Sequence, residues 1–222
     1  MRLSEEEHVR VSAAVAAAER GTSGELVLVV APRSDRYHDV ALHYAVAAML
    51  LVVGIAALRP DWLAWAVTPL HRGWGEGLGG AELAMLMLVE ALVFLAVRFL
   101  LTVPALRLAL TPPGTKARRV RRQALALFRA AVERRTVGAT GVLLYLSLAE
   151  HRAELIADSG IHHDTQPEQW GEAMVALVDH VRAGRLADGM IEAVTQVGAI
   201  LAAHHPPSEG DRNELPDRLI EL

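Results

Sequence analysis

The sequence contains no cysteine, which excludes disulfides, thiolate metal sites and thiol catalysis. Lysine is almost missing as well. Lys116 is the only one, so arginine carries nearly all the positive charge. Aromatic residues make up 5% of the chain, and Trp62, Trp65 and Trp74 crowd into one short segment. No GxSxG, HExxH, phosphate-binding P-loop or dinucleotide fingerprint occurs, so the common nucleophile, zinc and nucleotide signatures are absent. No internal repeat is present. Residues 1–20 read as a charged, Ala-rich helix without the apolar core of a cleavable signal, so the first membrane span is expected to act as its own insertion signal.

Apolar residues, by contrast, are plentiful at 52%. Two long runs stand out. Residues 39–58 (DVALHYAVAAMLLVVGIAAL) carry no full charge after Asp39, and residues 83–103 (LAMLMLVEALVFLAVRFLLTV) carry Glu90 and Arg98. About 20 helical residues span ~30 Å of hydrocarbon, so each run is long enough to cross a bilayer. The tryptophans lie between them, as the membrane–water interface selects. A transmembrane hairpin is therefore expected, with a helical hairpin buried in a soluble core as the alternative. Arg33 and Arg36 precede the first run. Arg107, Lys116, Arg118, Arg119, Arg121 and Arg122 follow the second, while the connection holds only Arg59 and Arg72, partly offset by Asp61 and Glu76. The positive-inside bias then puts both termini in the cytoplasm. Arg98 is placed to snorkel to the headgroups. For Glu90 three placements stay open: protonated in the bilayer, facing His43 or another polar group, or at an oligomer contact.

The rest reads as one α/β domain. Ser4 and Glu7 form a capping box for a helix that runs to about Arg20, with Val11, Val15 and Ala18 on one face. ELVLVVA (25–31) and VLLYLSL (142–148) are continuous apolar runs, as in strands buried on both faces. AELIA (153–157) follows a short turn, so 142–157 predicts a hairpin. Between them a helix is expected over 115–135, with Val120, Ala124, Leu127, Phe128 and Ala131 as its apolar stripe. Two more helices follow. One begins at a Thr165/Glu168 capping box and buries Trp170, Met174, Leu177, Val178 and Val181; the other buries Met190, Val194, Val197 and Leu201. The first strand precedes the apolar hairpin and the others follow it. A single sheet therefore requires an even number of spans. The expected fold is α/β: a mixed sheet of three or more strands flanked by helices, interrupted by a two-helix transmembrane hairpin. The expected boundaries are 1–38 and 105–207 for the α/β domain, 39–104 for the hairpin and 208–222 for a C-terminal tail.

GELVLVV (24–30), TGVLLYLSL (140–148) and AEHRAELIADSGI (149–161), in this order after a leading helix, resemble the TPM-domain family. The similarity covers about two-thirds of the chain. It is closest to small bacterial membrane proteins in which a transmembrane hairpin interrupts the TPM domain and the tail holds a motif like Asn213-Glu214-Leu215-Pro216-Asp217. The abundance of Ala and Arg agrees with a bacterial source. One departure is clear: the family's Gly-rich GYGLEG loop is replaced by DSGIHH (158–163).

The resemblance implies either a binding or envelope-maintenance role without catalysis, or a metal-dependent hydrolase such as a weak phosphatase. It also implies calcium in acidic loops. Calcium needs six to eight oxygen ligands. The acids available at the expected strand ends are Asp158, Asp35 and Asp164, and these are the candidate metal ligands. The bland reading of the same acids is solvated loops and caps. Zinc at His162-His163 with Asp158 and Asp164 competes with surface histidines, and His204-His205 reads as a helix end. No catalytic residue is indicated. The basic stretch Lys116–Arg122 is assigned to anionic headgroups rather than nucleic acid, because it adjoins a span. The expected partners are the lipid bilayer and a protein partner or second copy. The expected location is the bacterial inner membrane.

Overall fold

The computed structural model describes residues 3–59, 61–62, 65, 80–132, 140–165, 167–207 and 219–222. Most of the Trp/Gly connection, the turn at Gly138 and the tail motif Asn213–Asp217 lie outside the described residues. The elements in chain order are α1 (Glu5–Glu19), β1 (Glu25–Ala31), α2 (His38–Leu58), α3 (Gly80–Leu100), α4 (Pro104–Leu110) and α5 (Pro113–Ala131). They continue with β2 (Gly141–Ser147), β3 (Arg152–Ala157), α6 (Ser159–Asp164), α7 (Pro167–Arg182), α8 (Leu186–His204) and β4 (Leu219–Glu221). The chain divides into two compact units: Met1–Asp35 with Pro113–Leu222, and Arg36–Pro112.

The first unit is a mixed four-stranded sheet in the order β3-β2-β1-β4, flanked by helices. β1 runs parallel to both β2 and β4, and β3 is antiparallel to β2. Every residue of β1 and β2 is buried, which is why neither run alternates. Strand periodicity still sorts the side chains. Leu26, Leu28, Val30, Val142, Leu144 and Leu146 face a core closed by α1, α7 and α8. Val27, Val29, Leu143 and Tyr145 face Val120, Ala124 and Phe128 of α5. Glu19 of α1 accepts a hydrogen bond from the Leu26 amide at 3.0 Å, covering a part of the β1 edge that β4 does not reach.

Local chemistry explains the helix ends. Both halves of the Ser4/Glu7 capping box form. Pro113 opens α5, ahead of the expected start at 115, because the first turn of a helix needs no amide donor. The stretch after 132, expected as the end of this helix, lies outside the described residues. Of the expected Thr165/Glu168 box only Thr165 is described: its hydroxyl donates to the Ile161 carbonyl and accepts from the Trp170 indole. The Glu168 side chain lies outside the described part. The DSGIHH stretch, expected as a loop, is the short helix α6, with Asp158 as its N-cap. The C-terminal end of the chain is not merely a tail, since β4 extends the sheet and buries Leu219.

The second unit contains α2, α3 and α4. α2 and α3 pack on each other, and α4 is tied back by the Tyr44 hydroxyl, which donates to the Leu110 carbonyl at 2.9 Å. Among the described residues, three helices are long and apolar enough to cross a membrane: α2, residues Leu83–Leu100 of α3, and α8. Their surroundings differ. Half of the apolar window of α8 is buried, against 17% for α2 and none for α3. The apolar side of α8 is spent on the sheet, through Met190, Val194, Val197 and Leu201.

Candidate functional site

The C-terminal ends of β1 and β2 carry a polar cluster inside otherwise apolar surroundings. Tyr145 and Ser147 lie two residues apart on β2, so they share the face toward α5. Ser34 follows β1, and Glu150 sits in the turn after β2. The Ser34 hydroxyl lies 2.9 Å from the Tyr145 hydroxyl and donates to Ser147 Oγ at 2.9 Å. Ser147 donates in turn to Glu150 Oε2, and Glu150 Oε1 accepts the Ser34 amide at 3.0 Å. Ser147, Glu150 and Tyr145 are all buried. Burial pushes the Tyr145 phenol above its usual value. The Ser34 and Ser147 hydrogen bonds oppose this, and the charge of Glu150 adds to it. Beside the cluster, Arg119 of α5 holds Asp35 in an ion pair at 2.9 Å.

Chemically this cluster is a latch. Its carboxylate already accepts a hydroxyl and an amide. Two cavities open at the same end of the sheet. One, of about 350 Å³, is lined by Glu150, His151, Arg152, Met174, Val178 and Arg182, among others. The other, of about 270 Å³, is more apolar and includes Leu3, Val30, Pro32, Leu148, Leu186 and Leu222. Arg182 is partly neutralised by Asp179 at 3.3 Å. Sites of this size at the carboxyl ends of strands suit a small ligand or a protruding side chain of a partner.

Asp158 and Asp35, two of the acids singled out from the sequence, do not come together. β3 is antiparallel to β2, so its C-terminal end lies opposite the C-terminal end of β1. The Asp158 amide bonds the carbonyl of Gly141, at the start of β2, whereas Asp35 follows the end of β1. Seven strand residues at ~3.3 Å separate these ends by roughly 20 Å. A single metal site containing Asp158 and Asp35 is therefore ruled out by the hairpin's own reversal. Asp158 spends its carboxylate on the Ser159 amide at 2.7 Å, and Asp35 is paired with Arg119. The side chains of Asp164, His162 and His163 lie outside the described part. Among the described residues, no three His, Asp or Glu side chains group as metal ligands. Asp158 and Asp35 therefore do not contribute to one oxygen cage of the kind calcium requires.

Other sequence candidates find places. The His205 carbonyl accepts from the Thr22 hydroxyl and the Ser23 amide, so the His204-His205 end of α8 is a structural tie. The basic stretch is divided. Arg119 and Arg121 bind Asp35 and Glu154 within the α/β unit, which reduces the charge available to a membrane. His43 bonds the Asp39 carbonyl within its own turn, and Glu90 Oε1 is buried without a hydrogen-bond partner, so the Glu90–His43 pairing is not made. The latch was not among the residues expected from sequence. Its trace there is slight: two hydroxyls at i and i+2 in an apolar strand, with an acid three residues on.

No protein-family model matches this chain, and no curated protein does. Among solved structures it is similar to the NMR structure of BA42 protein from the psychrophilic bacterium Bizionia argentinensis, with a TM-score of 0.57 at 15% identity. The match covers 100% of this chain and 97% of that one. At this identity the likeness speaks for the fold alone.

Proposed function

We propose that the chain is a membrane-anchored, TPM-like domain that acts as a non-catalytic binding or envelope-maintenance module. The observation that carries this is the exposed apolar surface of α2 and α3. Leu50, Leu51 and Leu58 on α2 are 67%, 65% and 81% exposed, and Met87, Leu95 and Phe99 on α3 are 72%, 60% and 79% exposed. Helices so apolar and so little covered are unsuited to water and suited to lipid. Trp65, 79% exposed, fits the interfacial belt beyond α2.

The site supports binding rather than catalysis. Its polar groups satisfy one another, its carboxylate is engaged, and the two cavities beside it are open to a ligand. We place the chain in the bacterial inner membrane with both termini cytoplasmic. β1 and β2 are hydrogen-bonded neighbours on either side of the hairpin, so an even number of crossings is needed to keep them together. The arginine bias then selects the cytoplasm. The alternative, a metal-dependent hydrolase, has no grouping of ligands in its favour among the described residues.

Reporter fusions after residue 222 and within residues 72–80 test the topology. The first should report cytoplasm and the second the outside; an extracytoplasmic C-terminus overturns the placement. Capture of the intact protein from membranes, followed by mass spectrometry, should then identify a protein partner. Turnover of a phosphate ester by the purified protein, abolished by a chelator, would instead support the hydrolase.

A further inference from the structure

The foot of the hairpin, where the chain enters α2 and leaves α3, carries a cationic cluster with unused donors. Arg107 on α4 is only 6% exposed. Its Nη1 donates to the Leu101 carbonyl at 3.2 Å and lies 3.4 Å from Nδ1 of His38. Arginine stays protonated and can only donate, so Nδ1 is the acceptor and the His38 proton sits on Nε2. Arg98, on the last turn of α3, reaches the His38 carbonyl at 3.5 Å, a weak contact that leaves the guanidinium largely uncommitted. Nε and Nη2 of Arg107 bond to nothing among the described residues, and neither atom is sealed from the surface. Asp39, the acidic neighbour of His38, already has an interaction of its own.

The surroundings of this cluster are apolar and open. Phe99, Leu100, Val103 and Leu110 are 79%, 57%, 51% and 40% exposed. A cluster of arginine donors ringed by exposed alkyl and aromatic side chains has two demands: a phosphate for the cations and acyl chains for the apolar rim. One molecule meets both. The geometry points to Arg98, Arg107 and His38 as a clasp for the phosphodiester headgroup of an anionic phospholipid, seated with its chains along α3. The planar guanidinium suits a phosphate through two parallel donors, and the His38 Nε2 proton adds a third direction. This assignment rests on the membrane reading of α2 and α3, but goes beyond it. A hydrophobic anchor requires lipid of any kind, whereas the clasp requires an anionic one.

The test uses the full-length protein in nanodiscs of phosphatidylcholine with one-fifth phosphatidylglycerol, released into the gas phase for native mass spectrometry. The wild type should retain phosphatidylglycerol in preference to phosphatidylcholine. Arg98→Gln, at an exposed position, should lower that preference about fivefold, and Arg98→Gln with Arg107→Gln should abolish it. Arg20→Gln with Arg129→Gln, two exposed positions outside the hairpin unit, should leave it unchanged. Thermal melting in detergent supplies a second reading: phosphatidylglycerol should raise the wild-type midpoint, and inorganic phosphate at equal concentration should not. Equal retention of both lipids by the wild type, or an unchanged preference in Arg98→Gln, overturns the clasp. Stabilisation by inorganic phosphate equal to that by lipid overturns the lipid as its ligand. Release of the wild type from native membranes by alkaline carbonate overturns the membrane reading itself; an inserted chain without lipid preference overturns only the clasp.

Discussion

The hydroxyl of Ser34 lies 2.9 Å from the hydroxyl of Tyr145, so the last residues before the hairpin unit are bonded to the strand that follows it. Ser34, Ser147 and Glu150 complete this contact into a closed set of hydrogen bonds. The exit of the chain from β1 is thereby held against β2. A domain interrupted by a long insertion needs such a tie, because loop closure over the insertion opposes strand pairing.

The latch is expected to respond to mutation as a unit. Glu150→Ala leaves the Ser147 hydroxyl and the Ser34 amide short of an acceptor, at a cost of about 1–3 kcal/mol. Tyr145→Phe should cost about 1 kcal/mol. Chemical denaturation of the two variants and their combination measures the coupling, which should be non-zero because they share Ser34 and Ser147.

The same tyrosine gives a pH dependence. Its pKa in the folded chain is raised above the usual tyrosine value of about 10. A raised value means that the folded state holds its proton longer than the unfolded state. Its contribution is therefore complete below about pH 10 and is lost as pH rises toward the folded value. Stability measured from pH 8 to 11 should fall at the alkaline end, and less steeply in Tyr145→Phe.

Gly198 of α8 packs closely on Ala18 of α1. A Cβ built there would meet Ala18 Cβ at 2.6 Å, and both groups sit on helix backbones that must shift to make room. Gly198→Ala should therefore destabilise the α/β unit by about 1–3 kcal/mol, despite alanine's better helix propensity. A lowered urea midpoint with an unchanged slope is the expected signature.

The C-terminal strand should prove part of the fold. Leu219 is 3% exposed, and Leu222 donates to the Val30 carbonyl at 3.0 Å. Leu219→Ala should cost about 2 kcal/mol or more. Removal of residues 219–222 should speed hydrogen exchange along β1, whose edge is then left open.

Excision of Arg36–Pro112 should leave a soluble, cooperatively folding α/β unit, because both core clusters lie outside that segment. The break is short. Asp35 is held by Arg119, which lies roughly 9 Å along α5 from Pro113 at 1.5 Å per residue. A Gly/Ser linker of about five residues should bridge it. A single sharp thermal transition is the expected result, and an aggregated product with every linker length would make the hairpin part of the core.

Much of this was readable from residues alone. The runs ELVLVVA and VLLYLSL, the Val120–Phe128 stripe, the Ser4 capping box and the apolar faces of α7 and α8 all follow from local period and end chemistry. These signals are local, and they state which side of an element is buried. They do not state what it is buried against. The pairing of β4 with β1 left no trace because three residues carry no periodicity. The latch joins residues on both sides of the hairpin, and its polar members look, in sequence, like isolated hydroxyls and a turn acid. The foot of the hairpin is similar: Arg98 reads as a snorkelling cation and Arg107 as an orientation charge, and only folding brings both to His38. Asp35 and Asp158 show the reverse case. Each sits at a strand end by sequence, and the hairpin reverses β3, but only the long-range parallel pairing of β1 with β2 shows that Asp158 lies at the far end of the sheet from Asp35. The sequence by itself determined the elements, their buried faces and the two apolar spans. Tertiary structure decided which strand ends coincide, because pairing partners are chosen by contacts distant in the chain, which no local pattern records.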